Sequence, residues 1–298
     1  MELGDASTAE EARAEAPILP RQRGVGASVT ADVWIPRLEG NSTFGGPTLD
    51  LGDDLDLDGT EATFDGVAAL RLGLWQLAIS GFDFSSRSSS TVQSPTQPGE
   101  WLGPGNPFTP EIDWGGVTAP PGSTIESRFA IASAAVEGSW DFWSPLSDRQ
   151  WAWSEERRNA DNVAPDGGYR VDLRLGVLGG ARWANIEQTL TVENGGSARY
   201  DGDWAAIYGG VRVALDLRIP DEVPVLRKFS LVAAAAAGGV VSGASGSYWQ
   251  VRAGLEFHLF RHVALSAGYQ LVEFDASDDQ FTFDGGLQGL WFGGTITF

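Results

Sequence analysis

Apolar and polar residues alternate with a period of two through most of the chain, and that pattern predicts strands. Near the C-terminal end, Leu290, Phe292, Gly294, Ile296 and Phe298 share one face, with Gly289, Trp291, Gly293, Thr295 and Thr297 on the other. Ten such runs are expected, over 25–35, 62–72, 76–86, 127–138, 168–192, 203–219, 229–241, 248–259, 263–274 and 285–298. The third loses its phase at Gly81 and Phe82, which reads as a β-bulge. The fifth is cleaner, setting Val171, Leu173, Leu175 and Val177 against Arg170, Asp172, Arg174 and Arg182. The sixth sets Val211, Val213 and Leu215 against Arg212 and Asp216, and the eighth Val251, Ala253 and Leu255 against Arg252 and Glu256.

An even number of antiparallel strands puts both ends of the chain on one side of a closed sheet. The connections 38–61, 87–125, 187–202, 242–246 and 276–284 then fall on the opposite side, with 87–125, rich in Ser, Pro and Gly, as a long outer loop. Those at 73–75, 220–227 and 260–261 are short. Residues 139–167 break this asymmetry with Trp140, Trp143, Trp151 and Trp153 among charges. They read equally as an amphipathic helix lying on something apolar or as a packed irregular insert. Residues 1–23 form a tail in which Ser7-Thr-Ala-Glu10 has capping-box form, so a helix is expected over 8–16 until Pro17 and Pro20 stop it.

Composition narrows the partners more than the fold. A net charge of -20 over 298 residues argues against binding along a nucleic-acid backbone, and without cysteine there is neither disulfide nor thiolate metal chemistry. No basic start followed by an apolar core marks a signal peptide, so the sequence is read as a mature chain. The longest apolar or Gly run, 231–241, is far short of the roughly 20 residues that a membrane helix needs. A mean hydropathy of -0.12 is compatible with a membrane barrel, which shows only alternate residues to lipid.

Alternation gives two faces without naming the inner one. Two features favour an inverted, membrane-type barrel. The charged faces of the fifth, sixth and eighth runs mix both signs, so Arg170, Asp172, Arg174, Arg182, Arg212, Asp216, Arg252 and Glu256 could pair and fill a narrow lumen. Trp75, Trp140, Trp183, Trp204 and Trp249 lie near strand ends, where interfacial aromatic girdles sit. The last run, ending on Phe298, resembles the closing strand of bacterial outer-membrane barrels, where it serves as the assembly signal. Leu178-Gly-Gly-Ala-Arg-Trp183, Gly238-Gly239, Tyr248-Trp-Gln250, Ala267-Gly-Tyr-Gln270 and Val33-Trp-Ile-Pro-Arg-Leu-Glu-Gly40 extend the likeness. They resemble a group of uncharacterised outer-membrane barrel proteins distantly related to the outer-membrane protein A barrel. Gln270 stands where that group more often carries Arg, and 139–167 is extra.

The fold class expected is therefore all-β, an antiparallel transmembrane β-barrel of about ten strands, with eight or twelve as alternatives. The resemblance implies an outer-membrane location, with lipid, lipopolysaccharide and the barrel-assembly machinery as partners. Chemistry is sparse. His258 and His262 flank a short turn on the periplasmic side, the wrong side for a surface protease or lipid deacylase, and no nucleophile elbow or phosphate loop is present. Asp54-Leu-Asp-Leu-Asp-Gly59 opens like a calcium loop, with Asp54, Asp56 and Asp58 as ligands and Asp65 at the twelfth position; no other cofactor is expected. The function expected is non-enzymatic, in structure, surface interaction or restricted small-solute passage. The competing readings are a barrel enzyme acting on lipid or peptide and a soluble lipocalin-like ligand-binding barrel.

Overall fold

A computed structural model describes residues 25–92, 112–144, 170–218, 226, 228–260 and 262–298. The strands are β1 (Val25–Phe44), β2 (Thr48–Asp50), β3 (Thr63–Leu72), β4 (Trp75–Thr91), β5 (Ile112–Trp114), β6 (Val117–Ala119), β7 (Thr124–Trp143), β8 (Arg170–Val192), β9 (Ser197–Arg218), β10 (Lys228–Ser242), β11 (Ser245–His258), β12 (Val263–Ser277) and β13 (Phe281–Thr297). Ten of them make one antiparallel barrel in the order β1-β3-β4-β7-β8-β9-β10-β11-β12-β13. It closes by pairing β13 with β1, from Ser28↔Thr297 to Phe44↔Phe281, so no strand edge of the barrel is left open along that seam. β2 extends the sheet beside the far end of β1, and β5–β6 form a separate hairpin. The tail 1–23, with its expected helix, and residues 145–167 of the Trp-rich insert lie outside the described residues; the start of that insert, with Trp140 and Trp143, is the end of β7.

Which residues face outward changes with height. At the end carrying Val25 and Phe298, β1 turns Val25, Val29, Val33 and Ile35 out and Asp32 in. Past Ile35 the same strand turns Arg37 and Glu39 out and Leu38 in, with no break in alternation. β13 mirrors it: Leu290, Phe292 and Ile296 are exposed, whereas higher up Phe281, Phe283 and Leu287 are buried and Asp284 is exposed. β7, β8, β9 and β12 switch at the same level. The barrel is two stacked cylinders of opposite polarity, inside-out below and ordinarily soluble above.

This explains where the alternation misleads. The phase loss at Gly81 and Phe82 is not a bulge: Gly81 pairs with Gly66 and Ala134, and Phe82 with Asp65 and Ser133, in unbroken register. Leu77 and Ile79 face out while Phe82 and Phe84 face in, because the apolar set changes sides there. The register shifts recorded fall instead at Asp141/Trp143 and Val240/Ser242. Strands also outrun their expected limits. β4 continues to Thr91, and β9 begins at Ser197, a tight turn after Val192, so 87–91 and most of 187–202 are strand.

The lower cylinder is a continuous apolar belt. Its outward apolar run over 25–35, at roughly 3.3 Å per residue and a tilt of about 40°, stands about 25 Å tall, the height of the lipid-facing band of outer-membrane barrels. Leu173 and Val213 face outward and Leu255 is exposed, whereas Arg174 is buried and Arg212 lies inside. At the lower rim Trp75 stacks on Trp140 at 5.7 Å, near exposed Phe142 and Trp143. At the upper rim Phe64, Trp183, Trp249 and Tyr269 are exposed. Four of the five tryptophans expected in girdles are there; Trp204 is buried instead, because it lies above the switch level and points into the upper core.

Candidate functional site

The inward faces of the lower cylinder hold a polar lumen around a cavity of about 570 Å³. One ionic group centres on Asp141 of β7, which meets Arg71 of β3 at 2.9 Å, Arg174 of β8 at 3.4 Å and Arg212 of β9 at 3.6 Å. Arg174 also reaches Asp216 at 2.7 Å and Asp172 at 3.7 Å. Asp216 in turn holds Lys228 at 3.4 Å and accepts the Ser230 hydroxyl at 2.6 Å. Buried ions are tolerated when every one is paired and hydrogen-bonded, and this chain of contacts across five strands does so.

A second group lies at the closing seam. Arg252 of β11 pairs with Asp65 of β3 at 2.9 Å and with Asp32 of β1 across the lumen, and donates to the Gln270 side chain at 2.7 Å. Its guanidinium lies 4.3 Å from the Trp291 ring centroid, a cation–π distance. Space for that indole comes from Gly254 and Gly268, where an added Cβ would stand 2.4 and 2.6 Å from it. Arg182 has neutral partners: it donates to Ser133 at 2.9 Å and Gln250 at 3.2 Å, between the Phe82 and Tyr248 rings.

The structure thus brings Asp172, Arg174, Arg212 and Asp216 together, places Arg252 and Arg182 in separate groups, and pairs Glu256 with His258 at 3.3 Å. Arg170 stands opposite Arg218 in the β8–β9 register, and its side chain lies outside the described residues. Sequence reasoning missed Asp32, Asp65, Arg71 and Asp141. The available signal was a charge on the polar side of an otherwise apolar-phased run, as at Asp32 between Ala31 and Val33.

Above the lumen the interior turns apolar. Trp34, Phe84, Phe129, Ile186, Trp204, Phe274 and Phe283 form one buried cluster, and Tyr200 stacks on Phe281 with ring centroids 3.9 Å apart. The β5–β6 hairpin caps it: Trp114 is fully buried against Phe44, 4.9 Å between centroids, and the Gly115 amide donates to the Phe44 carbonyl at 2.6 Å. Leu51, Leu55 and Leu57 seal the same end beneath the acidic turn.

In that turn the three carboxylates expected to ligate calcium do not converge. Asp54 accepts the Asp50 amide at 2.8 Å, Asp56 accepts the Ser88 hydroxyl at 3.1 Å, and Asp58 pairs with Arg37, so the three carboxylates serve three separate partners. Asp65 is inside the barrel with Arg252. Leu55 and Leu57 dictate this, because burying both fixes the backbone that carries the carboxylates between them. Partial burial, then the Asp50 and Asp53 charges, push the Asp54 carboxyl above its ordinary value although its edge is exposed, while the Asp50 amide opposes the shift. Among the described residues no three His, Asp or Glu side chains converge as a metal cage. Calorimetric titration with Ca²⁺ is expected to give no saturable heat and no thermal shift; a stoichiometric signal lost in Asp56→Asn would restore the loop reading.

Both histidines lie at the short-turn end. The His262 Nδ1 is 2.8 Å from the Thr297 carbonyl, and His258 is beside Glu256. No family model matches the chain, and no curated protein matches it significantly. Among solved structures it is similar to the outer membrane protease OmpT from Escherichia coli, at 10% identity over 95% of this chain and 99% of that one, TM-score 0.42. It is also similar to the transport unit of the autotransporter AIDA-I from Escherichia coli, at 11% identity over 97% and 95%, TM-score 0.34. The toluene transporter TodX of P. putida aligns at 10% identity over 92% and 90%, TM-score 0.26. These neighbours are outer-membrane β-barrels of differing activities, and no residue role is carried from them to this chain.

Proposed function

We propose that the chain is an integral outer-membrane barrel of non-enzymatic function, blind toward the cell exterior, whose upper cylinder is a rigid acidic head for surface structure and interaction. The observation that carries this reading is the change of interior from paired ions to packed aromatic rings at the level where the outer surface changes from apolar to charged. Hydrocarbon outside goes with ions inside; water outside goes with an apolar core. The upper interior is packed with buried aromatic and aliphatic side chains, which supports closure over restricted passage. The non-enzymatic reading draws on the placement of both histidines at the short-turn end, which this reading sets in the periplasm.

Just above the belt the head is ringed with outward carboxylates, among them Asp83, Asp201, Asp203, Asp275 and Asp284. Divalent cations bridging these to anionic lipopolysaccharide headgroups make that lipid the natural neighbour. The exposed Leu290, Phe292 and Ile296 of β13 are the features the assembly machinery would read on the unfolded chain. Planar-bilayer recording tests the closure. The purified barrel is expected to give no steady unitary current; sustained porin-sized steps would overturn the reading.

A further inference from the structure

The lower lumen has an asymmetry that pairing alone does not require. In three of its ion pairs the carboxylate is behind and the base in front. The side chain of Arg71 is 34% exposed and that of Asp141 5%; the figures are 32% and 0% for Arg252 and Asp32, and 25% and 7% for Lys228 and Asp216. The cavity wall therefore presents more base than acid, with Arg71, Arg174, Arg182, Arg212, Lys228 and Arg252 against Asp65, Glu137, Asp216 and Glu256, and His258 beside them. Arg71 and Arg212 reach the same carboxylate from β3 and β9, so their guanidiniums are adjacent and both line the cavity. Lining residues also carry four buried donors with no hydrogen-bond acceptor in the protein, the Ser266 hydroxyl, the Trp291 indole N–H and the Nε–H groups of Arg174 and Arg182. A volume of about 570 Å³ lies within the roughly 300–1,000 Å³ of small-molecule sites. In a chain with 40 acidic and 20 basic residues, this is a half-open cavity in which bases outnumber carboxylates.

We infer that the cavity is a binding site for a small polyvalent oxyanion of the phosphate or polycarboxylate type, entering from the short-turn end. Adjacent guanidiniums match such an ion by bidentate hydrogen bonding, and the low-dielectric wall strengthens each contact. The site is independent of whether the far end conducts, so its failure and that of barrel closure are separable.

The test is calorimetric titration of the full chain in zwitterionic detergent with sodium pyrophosphate at low ionic strength. A saturable heat of about one ion per barrel is expected. Arg71→Gln and Lys228→Gln should each weaken it about tenfold, in line with the loss of one charge-assisted contact. Each leaves its carboxylate another base (Arg174 for both Asp141 and Asp216), and heat-modifiable gel mobility checks that the variants are folded. Asp203→Asn, on the outer face of the other cylinder, should not weaken binding. Absence of saturable heat, equal weakening in all three variants, or binding only of phosphatidylglycerol in mixed micelles and not of pyrophosphate would each overturn the site.

Discussion

An Arg252→Ala barrel is expected to unfold in detergent well below the melting temperature of the parent chain. Arg252 neutralises two carboxylates that face each other across neighbouring strands, since Asp32 and Asp65 are a register pair in β1 and β3. Both are buried, and Gly293 packs so closely over Asp32 that an added Cβ would lie 1.7 Å from its carboxylate oxygen. With the guanidinium gone, two like charges remain inside with little water to share. Removing one partner of a buried pair costs roughly 3–5 kcal/mol, and the lower figure applies because Arg252 is partly exposed. The same side chain links β11 to β1 and β3 and stacks on β13, so the loss falls on the seam where the sheet closes. Thermal melts read by tryptophan fluorescence measure the effect. Adding Asp32→Asn and Asp65→Asn to the alanine variant should restore much of the stability; no restoration would show that the ionic contacts are incidental to closure.

Val211→Arg should be comparably damaging for an unrelated reason. Val211 is 62% exposed on β9, midway down the apolar belt, and its neighbour Arg212 points into the lumen. On a water-soluble protein an arginine there would be nearly neutral. At the middle of a bilayer an outward arginine on a barrel costs roughly 2–4 kcal/mol. The comparison to make is urea unfolding of the barrel refolded into lipid vesicles, with Asp203→Arg, on the same strand above the belt, as the control. The first variant should unfold at lower urea and the second should not. If both behave alike, the belt does not sit in hydrocarbon.

The lower cylinder was legible in the sequence because its outward residues are bulky and its inward ones charged, as in Leu173-Arg-Leu175 and Val211-Arg-Val213. Ten strands and their sidedness follow from such triplets. The upper cylinder was not legible as barrel. There the buried face carries Phe82, Phe84 and Ile186 and the outer face short polar side chains, so Arg87 to Ser90 reads as loop while it is strand. Partners were harder still. Asp32, Asp65 and Arg252 are far apart in sequence, and only the closure of β13 on β1 makes them neighbours. The acidic turn is ambiguous in sequence because Asp-x-Asp-x-Asp is shared by cation loops and by leucine-anchored turns, and the burial of Leu55 and Leu57 holds its carboxylates apart.

The level at which most of the strands exchange their faces also sets how deep the molecule floats. Raising it by one residue pair, roughly 5 Å along the axis, would lift Ile35, Ile79 and Leu290 into water. Lowering it as far would draw Arg37, Asp83 and Asp284 into the acyl chains. Both displacements are opposed on several strands at once, so the bilayer should meet this barrel along a narrow waterline with little freedom to bob or tilt.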